Sequence, residues 1–304
     1  MDSAIGLELK GKSGSSYRLD RFLGGGQTAS VYRATVGASD KNPERRGVAV
    51  AVKMMLPGLD TETQRRFWQE ETVLVRLWSG LEKSPATQPL LPEVWDSGDS
   101  IGGGFLVMTL AQGRPLDELL REGILWDELD ALRLIHQLSQ IFRSLHSNLQ
   151  RSYLDFQPRN IFWDGPSRSI CVIDWNLLSR SYQSSDGTTA ESLAAEGRRA
   201  YRQDMQTVAK LFYRLLLGQE VGGLSLLDLA APARWKELTQ SMRRLLWDLL
   251  QPSSEYLESA TAFHDSMEAE VNRRALSGDG LLKQAAEIVE KIKGLDAAAT
   301  RRGD

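Results

Sequence analysis

Lys53 closes the run VAVAVK, an alternating apolar stretch of the kind that pairs into a sheet. A lysine buried at the end of such a strand is costly unless it meets an anion. Glu70 follows 17 residues later, in a segment with helical spacing, and is placed to be that anion. A lysine that snorkels to solvent at its strand end satisfies the same pattern. Upstream, Gly24, Gly25 and Gly26 stand between two alternating runs. Backbone without Cβ can approach a phosphate closely and offer it N–H donors, although a glycine hairpin is also an ordinary turn. Downstream, Asp155 and Asn160 lie five positions apart in SYLDFQPRNIFWD, and Asp174 follows Asn160 by 14 in CVIDWNLLSR. Taken singly, an aspartate in a loop is a common turn or cap former, and Asn160 ahead of IFW suits the end of a turn.

The elements that must position these residues are visible in the hydrophobic pattern. YRLDRFLGGG, SVYRATV and GVAVAVKMML, within residues 17–56, alternate as short antiparallel strands, with GASDKNPERRG an exposed loop between the last two. In DTETQRRFWQEETVLVRLW the residues Phe67, Glu70, Leu74 and Leu77 share one helical face, and Asp60 or Thr61 is suited to cap it. PEVWDSGDSIGGGFLVMTLAQG returns to strand character as a hairpin. After a boundary near residues 111–114 the texture becomes helical, with strand-like pieces only at 160–163 and 170–175. The small polar residues of 179–199 predict a loop. Leu281, Ala285, Ile288, Val289 and Ile292 predict one face of an amphipathic tail helix.

Taken together and in order, these segments resemble the protein kinase family. Gly24, Gly26 and SVYRA resemble its glycine-rich loop, VAVK its strand lysine at Lys53, and Glu70 the glutamate of its main small-lobe helix. FLVMTLAQG resembles the strand and hinge that receive adenine, YLDFQPRN the catalytic loop, CVIDWN the metal-binding aspartate motif, and RQDMQTVAKLFYRLLLG the helix whose Asp204 anchors that loop. The resemblance spans residues 17–270 and is nearest to an atypical bacterial serine/threonine kinase. It implies an α+β, bilobed fold: an N-terminal extension 1–16, a β-rich lobe 17–111, a helical lobe 112–272 and a tail 273–304. It also implies ATP and Mg2+. Gly24, Gly25, Gly26, Val31, Ala51, Lys53, Met108, Thr109 and Ala111 would bind the nucleotide, and Asn160 and Asp174 the metal. Asp155 would orient a substrate hydroxyl and accept its proton, with Lys53 and Glu70 as the remaining catalytic pair. The implied partner is a protein carrying serine or threonine hydroxyls.

Departures from the family pattern bear on that reading. Ala29 replaces the third glycine, Tyr153 and Leu154 replace the His and Arg before the aspartate, and DWN replaces DFG. Without the arginine, an ion pair to a phosphorylated activation loop at that position is lost. Gln157 stands where a lysine steadies the γ-phosphate, only 30 residues separate Asp174 from Asp204, and no APE triplet or C-terminal arginine counterpart is visible. A pseudokinase that binds nucleotide or protein, and a small-molecule kinase of the aminoglycoside or choline type, are the alternatives.

Composition narrows the classes further. With 25% charged residues, 41% hydrophobic residues and a net charge of −3, nothing here pulls the chain to nucleic acid. A single cysteine, Cys171, excludes an intrachain disulfide framework and a zinc site built on cysteine pairs. No run approaches the roughly 18 apolar residues of a membrane span, and MDSAIGLELKGKSG lacks a signal-peptide pattern. The expectation is a cytoplasmic protein without membrane insertion. Its tail helix would pack on itself or on a partner, and Ser184, Ser185, Thr188 and Thr189 are candidates for phosphorylation.

Overall fold

The computed structural model describes residues 4–81, 90–100, 103–153, 156–176, 190–251 and 259–275. The alternating segments form a six-stranded antiparallel sheet in the order β1-β2-β3-β4-β6-β5. Its strands are β1 (Glu8–Lys10), β2 (Ser16–Gly25), β3 (Ala29–Val36), β4 (Ala49–Met55), β5 (Val94–Ser100) and β6 (Gly103–Thr109). The pleat decides what each face carries. Val50, Val52, Phe105 and Val107 pack with Tyr17 and Leu19 on one side. Ala51, Met55, Leu106 and Met108 cluster on the other side with Phe67 of helix α1 (Thr61–Gly80). Lys53 has the parity of Ala51 and Met55, so it is delivered to the α1 side, opposite Val31 on β3 and Leu106 on β6.

Helix α1 forms where its spacing predicts. Asp60 caps it by accepting the Thr63 N–H at 3.0 Å, and Phe67, Glu70, Val73, Leu74 and Leu77 are its buried residues. Residues 1–16, expected as an extension, include β1, which pairs with β2 and adds Leu9 to the core of the sheet. A three-residue strand with one apolar side chain leaves no periodicity to detect.

The rest of the described chain is mainly helical: α2 (Leu116–Arg121), α3 (Glu128–Ser144), α4 (Ala190–Leu217), α5 (Leu226–Leu229), α6 (Gln240–Leu250) and α7 (Ala260–Ala275). A small sheet of β7 (Arg114–Pro115), β8 (Ile161–Asp164) and β9 (Ser169–Val172) accompanies it. Leu134, Ile135, Leu138 and Phe142 of α3 lie in one core with Phe212 of α4, Leu246 of α6 and Phe263 of α7. Val73, Leu74 and Leu77 of α1 belong to that same core, so α1 joins the sheet to the helices. Between the two regions, Gly113 has φ +86°, and a Cβ there would overlap the Trp163 carbonyl, so glycine is required on both counts.

Two segments differ from the sequence expectation. Residues 190–199, expected as loop, are the first turns of α4; AESLAAEGRR is rich in alanine, glutamate and arginine, and helix propensity outweighs its small polar look. Residues 179–189 lie outside the described residues, as do the expected tail helix and the four serines and threonines named above. Helix α7 was not expected, because its buried Phe263 and Met267 and half-buried Val271, spaced four apart, make a narrow stripe in an otherwise charged segment.

Candidate functional site

Lys53 sits at the centre of a buried ionic cluster. Its Nζ lies 2.6 Å from Glu70 Oε2 and 2.7 Å from Asp174 Oδ1. Lys53 is 7% exposed and Glu70 1%, so solvent screens their pair little. Burial by itself would lower the lysine pKa, but the Glu70 and Asp174 carboxylates outweigh it and hold the pKa above its ordinary value. The snorkelling alternative is thereby removed, since the ammonium points inward to two anions. One cation faces two carboxylates, which leaves one negative charge uncompensated among these three groups.

Glu70 uses its other oxygen to accept the Trp175 N–H at 3.0 Å. The strand helix pair thus reaches the residue directly after Asp174. Asp174 itself has φ +67°, a left-handed conformation that aspartate tolerates better than most side chains. The Tyr153 hydroxyl lies 2.9 Å from the Ile173 carbonyl oxygen and 3.1 Å from that of Asp174. The Tyr153 ring stacks on Trp175, with centroids 4.6 Å apart at 17°, and the Trp175 indole N–H donates to Val172 O at 2.9 Å. Tyr153, which the sequence presents as a lost histidine, therefore clamps the Asp174 backbone. Its sequence signal is weak, because nothing local pairs it with Trp175, 22 positions away.

Asn160 is buried at the end of a short helical turn, Pro158–Asn160. Its carbonyl accepts the Ile173 N–H at 2.9 Å, which brings Asn160 beside the residue that precedes Asp174. Gln157 opens the same turn and accepts the Asn160 N–H at 2.9 Å. Asp155 and Leu154 lie outside the described residues. On the near side of that gap, Asp204 of α4 accepts the Tyr153 N–H at 3.2 Å and contacts His146 Nε2 at 2.8 Å. Burial pushes the Asp204 pKa up despite the opposing hydrogen bonds from His146 and the Tyr153 amide. His146 was not singled out in the sequence; no motif marks it.

The glycine turn lies in the same row of the sheet as Lys53. Gly24 pairs with Val31, and Val31 pairs with Lys53. Gly26 closes the turn by donating to Ala29 O at 2.9 Å. None of the three glycines adopts a left-handed backbone. A Cβ at Gly24 or Gly26 would meet nothing within 4 Å, and one at Gly25 would meet the Phe22 ring at 3.3 Å. Among the described residues, neither conformation nor packing demands glycine at 24 and 26. What their lack of side chains leaves is open space above the backbone.

Ala51 and Met108 pair across β4 and β6 and cluster with Val31 and Leu110 on the lysine side of the sheet. Thr109 follows Met108, and its N–H is committed to Glu93 O at 2.9 Å, while its hydroxyl accepts the Glu93 N–H at 2.9 Å. Ala111 lies just beyond the strand, half-buried. The structure thus gathers Lys53, Glu70, Asp174 and the Asn160 backbone directly, and sets the glycines, Val31, Ala51 and Met108 beside them on one sheet.

Two known proteins similar to part of this chain are serine/threonine-protein kinases. The chain is 31% identical over 157 residues to the serine/threonine-protein kinase PkaA of Streptomyces coelicolor, a stretch covering 49% of this chain and 26% of that protein. It is 30% identical over 141 residues to the human serine/threonine-protein kinase H2, covering 42% of this chain and 35% of that protein. The matches therefore span between about a quarter and about a third of the length of these relatives. No family model matches the sequence.

Proposed function

We propose that this chain is a phosphotransferase that passes the γ-phosphoryl group of ATP, with magnesium, to a serine or threonine hydroxyl of a protein, on a two-lobed kinase-like fold with residues 17–111 and 112–272 as its lobes. The observation that carries this reading is the buried Lys53 held by both Glu70 and Asp174, in one sheet row with the open glycine turn. Lys53 and Glu70 are buried, while the Asp174 carboxylate keeps an open side that a cation can approach. A divalent cation held by Asp174, whose side chain is 35% exposed, would offset the negative charge that Lys53 leaves uncompensated. Asn160 would add a second hard oxygen, so the donor set suits magnesium. Magnesium, when bound, neutralises charge on the phosphates.

The remaining roles fall to the chain. Lys53, steered by Glu70, holds the α- and β-phosphates. The backbone of Gly24, Gly25 and Gly26 closes on the phosphates, and Val31, Ala51 and Met108 offer adenine an apolar surface, with Thr109 and Ala111 at the hinge. Asp155 orients the acceptor hydroxyl and takes its proton. Tyr153 and Trp175 keep Asp174 aimed at the lysine.

Calorimetry with ATP tests the binding half of the reading. Wild type should bind ATP more tightly with magnesium than without it, and Asp174→Asn should lose that difference. ATP binding that ignores magnesium would remove Asp174 from the proposed role.

Gln157 favours a second reading, nucleotide binding without transfer. A neutral amide at that position forgoes transition-state charge stabilisation of about 2.7 to 4 kcal/mol, by analogy with lost oxyanion donors.

A further inference from the structure

We propose that Lys12 and Trp68 are positioning residues: residues 11–15 form a strap, bolted to the buried carboxylate of Asp96, that holds Lys12 over the Trp68 ring and so fixes α1, and with it Glu70, against the sheet. The consequence for nucleotide handling rests on the reading of Lys53 and Glu70 as the phosphate-holding pair.

Asp96 of β5 is buried, and the strap is built around it. The Ser13 N–H reaches Asp96 Oδ1 at 3.1 Å, and Asp96 Oδ2 accepts the hydroxyls of Ser13 at 2.5 Å and Tyr17 at 2.9 Å. Gly11 passes so close to that carboxylate that a Cβ would overlap it. The Lys12 N–H donates to Ser97 O at 2.8 Å, and Gly14 closes the turn on Gly11 O at 3.0 Å. Burial, then the neighbouring Asp96, push the Tyr17 phenol up to about 12, so it remains a donor at any physiological pH.

This framework places Lys12 Nζ 5.1 Å from the Trp68 ring centroid, within the range at which an ammonium is attracted to an indole face. Trp68 is seated by its other contacts. It meets Phe67 edge to face at 5.3 Å and 88°, and it lies against β6 where a Cβ on Gly104 would overlap its ring. Glu70 is two residues further along the same helix. Phe67, Val73, Leu74 and Leu77 anchor α1 in the cores, so removing the strap contact loosens, without releasing, the helix segment that carries the lysine's partner.

The test uses the full chain as wild type, Lys12→Ala, Lys12→Arg and Trp68→Phe, with two readouts: hydrogen exchange of the α1 amides, and separate KM and kcat for ATP. Lys12→Ala should speed exchange between Phe67 and Leu74 about three- to tenfold and raise the KM for ATP by a similar factor, with kcat held within about twofold. KM moves because a small loosening of the lysine and glutamate weakens their hold on the phosphates of bound ATP. Lys12→Arg, which keeps a cation over the ring, should restore both values, and Trp68→Phe should fall between. Unchanged exchange in Lys12→Ala, or an equal rise in Lys12→Arg, overturns the proposal. If wild type handles no ATP, the phosphotransferase reading fails, and the exchange data alone still decide the strap.

Discussion

Lys53, between Glu70 and Asp174, is a residue whose charge is fixed by its neighbours. Since its folded pKa lies above the unfolded value of about 10.4, its contribution to stability is fully present below that pH and is lost as pH rises through the folded pKa. Stability from this group should therefore be flat from pH 7 to about 10 and fall only above it, as denaturation at stepped pH will measure. Glu70→Ala removes the buried partner and also strands the Trp175 N–H. We expect it to destabilise the chain by about 3 kcal/mol and to begin the alkaline loss at lower pH. The lysine and glutamate were legible in the sequence because a buried strand charge calls for a partner. The Tyr153 clamp was not, since its hydroxyl answers carbonyls 20 and 21 positions away. Sequence periodicity has no term for such contacts.

For the elements, β2 to β6 and α1 follow from pattern alone, and strand parity sends Lys53 to the helix side. The connection at Gly113 depends on backbone that only glycine supplies. Gly113→Ala forces a Cβ into the Trp163 carbonyl at φ +86°, with an expected loss of about 2–4 kcal/mol, read as a lower urea midpoint at unchanged slope. What the pattern missed is equally physical. β1 owes its place to pairing with β2 and to one leucine, and α7 to a narrow stripe that gains meaning only once α3 is beside it. The first turns of α4 were hidden because small residues were weighed by polarity rather than by helix propensity.

At the scale of the whole molecule, α1 shares a core with the helices while carrying the lysine's partner under the sheet. A second tie lies across the helices. Arg274 of α7 pairs with Glu128 at the start of α3 and with Glu270 at 2.8 Å, and donates to Thr239 and Ser241 at the start of α6 at 2.9 and 3.0 Å. Burial pushes the Glu270 pKa up, but Arg273 and Arg274 outweigh it and hold it below the usual range. That stabilisation is present above the unfolded value of about 4.3 and is lost as pH falls through the folded one. Arg274→Ala should cost about 1–3 kcal/mol at pH 7, with a gap from wild type that narrows below pH 4 in denaturant titrations. The central claim is chemical, and transfer of γ-labelled phosphate from ATP with magnesium tests it most directly, comparing wild type with Lys53→Met, Asp155→Asn and Asp174→Asn on a generic serine- and threonine-bearing protein acceptor. The account predicts label on the acceptor with wild type and at least about a hundredfold less with each variant. Label that is absent from wild type while ATP still binds, or equal in all four proteins, would contradict it.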